Sequence, residues 1–348
     1  MRVGIHLEPL GQFGERLLKF EEILLHNNIE VLRLNSDDSD FWEQIKTLDL
    51  FIYNFAQYDH DMQKALTILP IIEFEYKIDC FPNFTTCWHF DNKIRQFYLM
   101  KAHGFPLIDS YIFHEKTSAL DWASKCKLPL VFKLKGGAGS KNVILIEKRK
   151  QLFTTINEAF SKGFADTNVF GSSSLKTSII ERIKRSVYIR LQKFKNKEIP
   201  FRYAISNWNK HKNYVLFQKF LPENSFDTRV TTIGNKAFSF RRHNRKDDFR
   251  SSGSGLIDYN KDEIDINCIK LAFKISKEMQ FQTMAYDFLY NEDGDIEFCE
   301  ISYNYVDKAV WACQGYWDEN FEWHKGHFWP QYILLKYLLN IDDFKQPE

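Results

Sequence analysis

The chain has 348 residues, enough for two or three domains of ordinary size. Hydrophobic residues make up 44% and charged residues 27%, a globular composition that argues against intrinsic disorder. Basic residues number 47 against 46 acidic, so a net charge of +1 gives no support to a global nucleic-acid-binding or acidic-tail character.

No run approaches the ~18 apolar residues of a membrane span. The opening Met1–His6 has no secretory apolar segment. Cys80, Cys87, Cys126, Cys268, Cys299 and Cys313 form no CxxC pair and no zinc spacing, which predicts reduced thiols and a cytoplasmic protein.

Over residues 1–88, short apolar runs alternate with amphipathic stretches. Strands are expected at Arg2–Leu7, Ile29–Leu34 and Leu48–Phe55, with helices at Phe13–His26 and Asp40–Lys46. This βαβ rhythm predicts a small parallel-sheet lobe. No GxGxxG follows the first strand, so the dinucleotide fingerprint is absent.

A helix over Phe90–His103 is expected to end at Gly104 and Pro106. A strand at Tyr111–Phe113 and a helix at Ala119–Lys125 follow. Leu130–Lys135 reads as an apolar strand entering a glycine turn, with Val143–Ile146 returning as its hairpin partner and a helix at Lys150–Lys162.

Residues 165–213 break the pattern. Within them, Lys176–Lys197 carries eight basic residues and one acid, with Ile180, Ile183, Val187, Leu191 and Phe194 on one helical face. Three readings stay open for this basic amphipathic helix: a solvated face on its own apolar stripe, docking on an anionic membrane, or a nucleic-acid contact. The last lacks the stacking aromatics that single strands favour, and no nucleic acid is expected.

Strands at Tyr214–Phe220, Thr228–Ile233 and Ala237–Arg242 come next, the last two joined by Gly234-Asn235. A helix at about Asp265–Met279 precedes a hairpin of Thr283–Tyr290 and Ile296–Ser302. The tail gathers Trp311, Tyr316, Trp317, Phe321, Trp323, Phe328 and Trp329 and ends in a helix. Those rings read as core or as a stacking surface for sugar faces.

Three segments carry chemistry. In Lys133-Leu134-Lys135-Gly136-Gly137-Ala138-Gly139-Ser140, three glycines let backbone N–H groups approach phosphates, beside a lysine at phosphate range. The Walker pattern fails, since Lys141 is followed by Asn142 and a strand, so a plain hairpin turn stays open. Asp287 and Glu300 are expected on one face of their hairpin, where two carboxylates repel unless a cation joins them; solvated acids are the alternative. Between them, Arg241–Arg250 holds five basic residues in ten, and arginine suits bidentate phosphate clamping.

The order of the parts is more specific than any one of them. Asp91-Asn92-Lys93, Lys133 with its glycine turn, Gln218-Lys219-Phe220-Leu221, Asp227-Thr228-Arg229, the arginine loop ending Asp248-Phe249-Arg250, and Asp287 with Glu300 follow in sequence. This resembles the ATP-grasp superfamily over about residues 88–306. It is most similar to the branch of ribosomal-protein glutamate ligases, glutathione synthetases and D-alanine–D-alanine ligase.

The resemblance implies an α/β (α+β) ATP-grasp fold with an N-terminal parallel α/β lobe. Residues 1–88 would form that lobe. Residues 89–217 would form the central subdomain with the lid and the insertion 165–213. Residues 218–348 would form the C-terminal subdomain with the metal site. Lys93 and Lys133 would hold ATP phosphates under a lid of Gly136, Gly137, Gly139 and Ser140. Gln218, Lys219, Phe220 and Leu221 would recognise adenine, and Asp227 the ribose. Arg242 and Arg250 would bind the transferring phosphate or the acyl phosphate, and Asp287, Glu300 and Ser302 would hold Mg²⁺.

Two departures touch the site. The family's usual Glu-x-Asn stands as Glu300-Ile301-Ser302, a serine being a weak ligand, with Asn304 as a substitute. The hinge carries Gln218-Lys219 where an acid is common.

The activity implied is an ATP- and Mg²⁺-dependent carboxylate–amine ligase working through an acyl phosphate, with amino-acid attachment to a glycan precursor as its expected setting. The alternatives are a peptide-modifying ligase and a non-catalytic, membrane-docked nucleotide-binding module. Expected partners are a small-molecule or glycan carboxylate, an amine, an anionic surface at the inner membrane face through 176–197, and a second copy in a homodimer.

Overall fold

The computed structural model describes residues 1–6, 14–137, 142–164, 187, 190–191 and 210–347. They fall into two compact units, one of Met1–Phe90 with Glu223–Glu348, the other of Asp91–Pro222.

The first unit opens with β1 (Arg2–His6), α1 (Gly14–His26), β2 (Glu30–Leu34), α2 (Phe41–Ile45), β3 (Leu50–Ile52), α3 (Asp59–Pro70), β4 (Asp79–Phe81) and α4 (Phe84–Cys87). The strands form an all-parallel sheet in the order β2-β1-β3-β4, as the alternating pattern predicts. Val3, Ile5 and all of Leu50–Ile52 are buried, as befits a sheet covered on both faces. In α1, Leu17, Phe20 and Leu24 recur at helical spacing and are buried, while Leu18 and Leu25 are exposed.

The second unit holds α5 (Lys93–Ala102), β5 (Ser110–Phe113), α6 (Lys116–Lys125), β6 (Leu130–Lys133), β7 (Val143–Ile146), α7 (Arg149–Ala159) and β8 (Val215–Lys219). Its sheet is antiparallel in the order β5-β8-β6-β7. Alternation sorts the faces: Leu130, Phe132, Val215 and Phe217 pack on Ala119 and Ala123 of α6 and Leu152 and Ile156 of α7. Lys133, Leu216 and Gln218 therefore lie on the other face. The helix expected over Phe90–His103 begins only at Lys93. Asp91 adopts a left-handed backbone (φ 48°), and the Asn92 side chain caps the helix by accepting from the Arg95 N–H at 3.2 Å.

The first unit resumes with β9 (Phe226–Ile233), β10 (Lys236–His243), β11 (Ile257–Asp258), α8 (Ile266–Glu278), β12 (Thr283–Tyr290), β13 (Ile296–Ser302), α9 (Asp307–Trp311), β14 (Gly315–Asp318), β15 (Trp323–Lys325) and α10 (Pro330–Leu339). These strands make an antiparallel sheet, β13-β12-β9-β10-β14-β15, with β11 on β10. The β9–β10 turn is tight, with Gly234 at φ 53°. Helix α8 packs on one sheet face, where Ser276 Oγ lies 2.7 Å from Thr232 Oγ1 and 2.6 Å from the Tyr286 hydroxyl. The opposite face holds the polar residues described below. The β14–β15 hairpin within the aromatic tail was not legible from its sequence.

Residues 165–186, 188–189 and 192–209, most of the expected basic helix among them, lie outside the described residues. The two described members of its apolar stripe, Val187 and Leu191, are exposed. No helix among the described residues is long and apolar enough to cross a membrane.

Candidate active site

In the second unit, two lysines flank the glycine turn. Lys93 is buried at the start of α5, and its Nζ donates to the Gly137 carbonyl at 3.0 Å. Its backbone N–H reaches the Lys135 carbonyl at 2.8 Å, which docks the helix start on the end of β6. The Asp91 carboxylate accepts from the Gly137 N–H at 2.8 Å. Glycine is required here twice over. Gly137 sits at φ 105°, and a Cβ on Gly136 would stand 2.8 Å from Asp91 Oδ2. Asp91 is thus a turn-holding residue to which sequence reasoning gave no role; its place two residues before Lys93 was the available signal. Gly139 and Ser140 of the expected lid lie outside the described residues.

Lys133 is buried at the end of β6 and donates from Nζ to Gln218 Oε1 at 2.5 Å. Register explains the meeting. Lys133 pairs with Leu216 across the sheet, and Gln218 lies two residues on, hence on the same face. Gln218 also donates from Nε2 to Ser110 Oγ at 3.2 Å. The Gln218 amide thus holds both the lysine and the Ser110 hydroxyl. At the end of β8, the Lys219 backbone N–H bonds the Asp109 carbonyl at 2.8 Å; Phe220 is half-buried and Leu221 buried.

In the first unit, an acid–arginine cluster occupies the sheet face away from α8. The β12–β13 register sets Asp287 directly opposite Glu300. A register shift lies between Asp287 and Phe288, with Cys299 as the extra residue of a β-bulge. Continued without the bulge from Tyr290↔Ile296, the ladder would bring Cys299 opposite Asp287 and turn Glu300 toward the α8 face. The bulge delivers the second carboxylate. It also leaves Cys299 half-buried.

Around Asp287 stand two guanidinium groups. Arg229, opposite it on β9, forks onto it with Nε–Oδ1 2.7 Å and Nη2–Oδ2 2.8 Å. Arg242 on β10 reaches Asp287 Oδ2 at 2.8 Å and forks onto Asp227 at 2.7 and 2.6 Å. Ser251 Oγ also donates to Asp227 Oδ2. Asp227, assigned the ribose by resemblance, is in the structure the buried partner of Arg242.

Burial alone would raise the Asp287 carboxyl, but the charges and hydrogen bonds of Arg229 and Arg242 outweigh it and hold the group below the usual carboxylate range. Asp227 is raised, because burial and the Asp287 charge prevail over the one arginine it shares. For Arg242, burial opposes the charge, yet the two acids push the guanidinium above its ordinary value.

Arg250 is half-buried in the loop after β10 and forks onto Asp248 at 2.9 and 2.6 Å. Ser302 donates from Oγ to the Asn304 carbonyl at 2.8 Å, closing a local turn. The Asn304 amide is engaged elsewhere: its Oδ1 accepts from Arg16, and its Nδ2 donates to the Phe55 carbonyl at 3.3 Å. As a donor set, two facing carboxylates suit one hard cation such as Mg²⁺, with Ser302 adding at most a weak oxygen. The described cysteines are free, and burial pushes Cys268 and Cys313 up to about 12, so both stay thiols.

No protein-family model matches the chain. No curated protein matches it either. Among solved structures, it is similar to the ATP-grasp ligase PsnB complexed with minimal precursor, at 12% identity, 97% of this chain, 99% of that one and a TM-score of 0.55. It is similar to N5-carboxyaminoimidazole synthetase from Staphylococcus aureus complexed with ADP, at 14% identity, 90% and 73% coverage and a TM-score of 0.55. It is also similar to D-cycloserine synthetase DcsG, at 11% identity, 87% and 91% coverage and a TM-score of 0.53. These likenesses show that the chain has the ATP-grasp fold.

Proposed function

We propose that this protein is an ATP- and Mg²⁺-dependent ligase that joins a carboxylate to an amine through an acyl phosphate. The observation that carries the reading is the Asp287–Glu300 pair beside Arg229 and Arg242 on one sheet face of an ATP-grasp fold. Solved structures of that fold support it: one is complexed with ADP, and PsnB is also complexed with precursor, Mg and ADP.

Lys93 and Lys133 bind phosphate oxygens, and the Gly136–Gly137 backbone comes close to them. The segment Gln218–Leu221 borders the base. Asp287 and Glu300 hold the metal, which when bound neutralises charge on the phosphates. Arg242, with Arg250, stabilises the group in transfer as the substrate carboxylate attacks the γ-phosphorus and ADP leaves. The amine then adds to the acyl carbon, and inorganic phosphate departs. No protein nucleophile takes part.

The acceptor we propose is a glycan carboxylate, with an anionic membrane surface met through 176–197. Salt-sensitive liposome flotation that is lost on deleting 176–197 checks the latter. A peptide carboxylate is the second reading, favoured by the end-to-end match with PsnB.

Release of ADP in the presence of candidate carboxylates and amines tests the ligase. Asp287→Asn and Glu300→Gln should each lower Mg²⁺-dependent ADP formation by about 10² or more, as expected for removing a transition-state charge partner. Both variants turning over like the wild type would refute the metal assignment.

A further inference from the structure

We propose that Arg229 is a latch on the metal site: its guanidinium occupies the Asp287 carboxylate, and a divalent cation gains that carboxylate only when Arg229 turns away. The inference rests on the proposed reading of Asp287 and Glu300 as the metal-holding pair.

A carboxylate offers about four lone-pair sites. At Asp287, Arg229 takes one on each oxygen, at 2.7 and 2.8 Å, and Arg242 takes a third at 2.8 Å. Magnesium needs an oxygen at about 2.0–2.1 Å in near-octahedral geometry. The forked guanidinium lies in the carboxylate plane and, with Arg242, leaves Asp287 one lone-pair site, on Oδ1, while two cations already balance the charge.

The two arginines differ in what holds them. Arg242 is 8% exposed and keeps both hydrogen bonds to Asp227 whatever Asp287 does. Arg229 is 20% exposed, and Asp287 is the one acid in ion-pair range of it among the described residues. Arg229 is therefore the one free to move without stranding a buried charge. A polyphosphate offers it a second bidentate anion. An incoming nucleotide thus draws the latch and bares Asp287, so free metal binds poorly alone and well with nucleotide. Arg229 is a positioning residue for the metal pair.

Titration of the full-length, nucleotide-free protein with Mn²⁺, read by electron paramagnetic resonance, tests this without turnover. Arg229→Gln should bind Mn²⁺ at least tenfold more tightly than the wild type. Arg229→Lys, which keeps the charge but loses the fork, should fall between. The gain should vanish when Asp287→Asn is added. Mn²⁺ affinity no higher than wild type in the folded variants overturns the latch, and so does a gain that survives Asp287→Asn. If Arg229→Gln does not fold, Arg229→Lys decides by the same criterion. A wild type that turns over ATP with Mg²⁺ while neither variant gains Mn²⁺ affinity keeps the ligase and loses the latch. Tighter Mn²⁺ binding in a protein without turnover does the reverse.

Discussion

His6 ends β1 with its ring stacked on Tyr53 at 4.0 Å between centroids. The Ser36 backbone N–H donates to its Nε2 at 3.1 Å, which fixes the neutral ring with hydrogen on Nδ1. Burial, helped by Lys64 and opposed by Asp37, pulls its pKa down to about 4 from 6.5. The unfolded chain therefore takes up the proton first as pH falls. The stability His6 contributes is whole above pH 6.5 and is lost on the way down to about 4, a difference of about 3 kcal/mol. Urea unfolding of the wild type and His6→Phe at pH 7.5 and 4.5 should show acid costing the wild type more. An equal gap at both pH values would contradict the neutral assignment. Lys133 makes a different point at the same scale. Its type and its neighbouring glycines are legible in the sequence, but its anchor is not, because Gln218 comes 85 residues later and meets it only through sheet register.

Helix α8 shows how an element is fixed locally and used globally. Asp265 caps it, its carboxylate accepting from the Asn267 N–H at 2.8 Å, and its stripe of Ile269, Ala272 and Ile275 is buried. Both features were readable, so the expected Asp265–Met279 differs little from the observed Ile266–Glu278. Asp265→Ala should cost about 1 kcal/mol, seen as a lower urea midpoint at unchanged slope. A loss near zero would mean that packing on the sheet, not the cap, sets the helix start. The hairpin of β12 and β13 was equally legible from its turn, Asn291–Gly294, but its bulge was not. An alternating pattern shows which residues share a face only while the ladder stays regular.

Distant parts of the first unit are joined in ways that local signals do not carry. Arg16 of α1 is buried against the segment after β13. It donates to Asn304, lies 3.1 Å from the Asp307 carboxylate and stacks 5.1 Å over the Tyr305 ring. Gln282, just before β12, donates to the Cys80 carbonyl at 2.8 Å and accepts from the Asn83 N–H at 2.8 Å. The first 90 residues and the last 126 (Glu223–Glu348) thus form one unit. Burial already raises the Asp307 carboxyl against the pull of Arg16. Arg16→Ala strands that acid and should cost about 3–5 kcal/mol. Tryptophan fluorescence during urea unfolding would read this, and a loss under 1 kcal/mol would show the contact to be peripheral.

The sequence by itself determined the parallel first lobe, the glycine turn after Lys133, the hairpin bearing two acids and the order that resembles ATP-grasp ligases. The lobe, the turn and the hairpin follow from periodicity or turn chemistry within a few residues, whereas the resemblance is carried by the order of motifs over about residues 88–306. The sequence placed Glu300 on the face of Asp287, but only the tertiary structure revealed the bulge that puts it there, that Arg229 and Arg242 close over Asp287, and that Asp91 holds the turn. A bulge changes the parity of a strand without changing its composition. A salt bridge such as Arg229–Asp287 joins residues 58 positions apart, and their pairing is set by the packing of strands rather than by the identity of either residue.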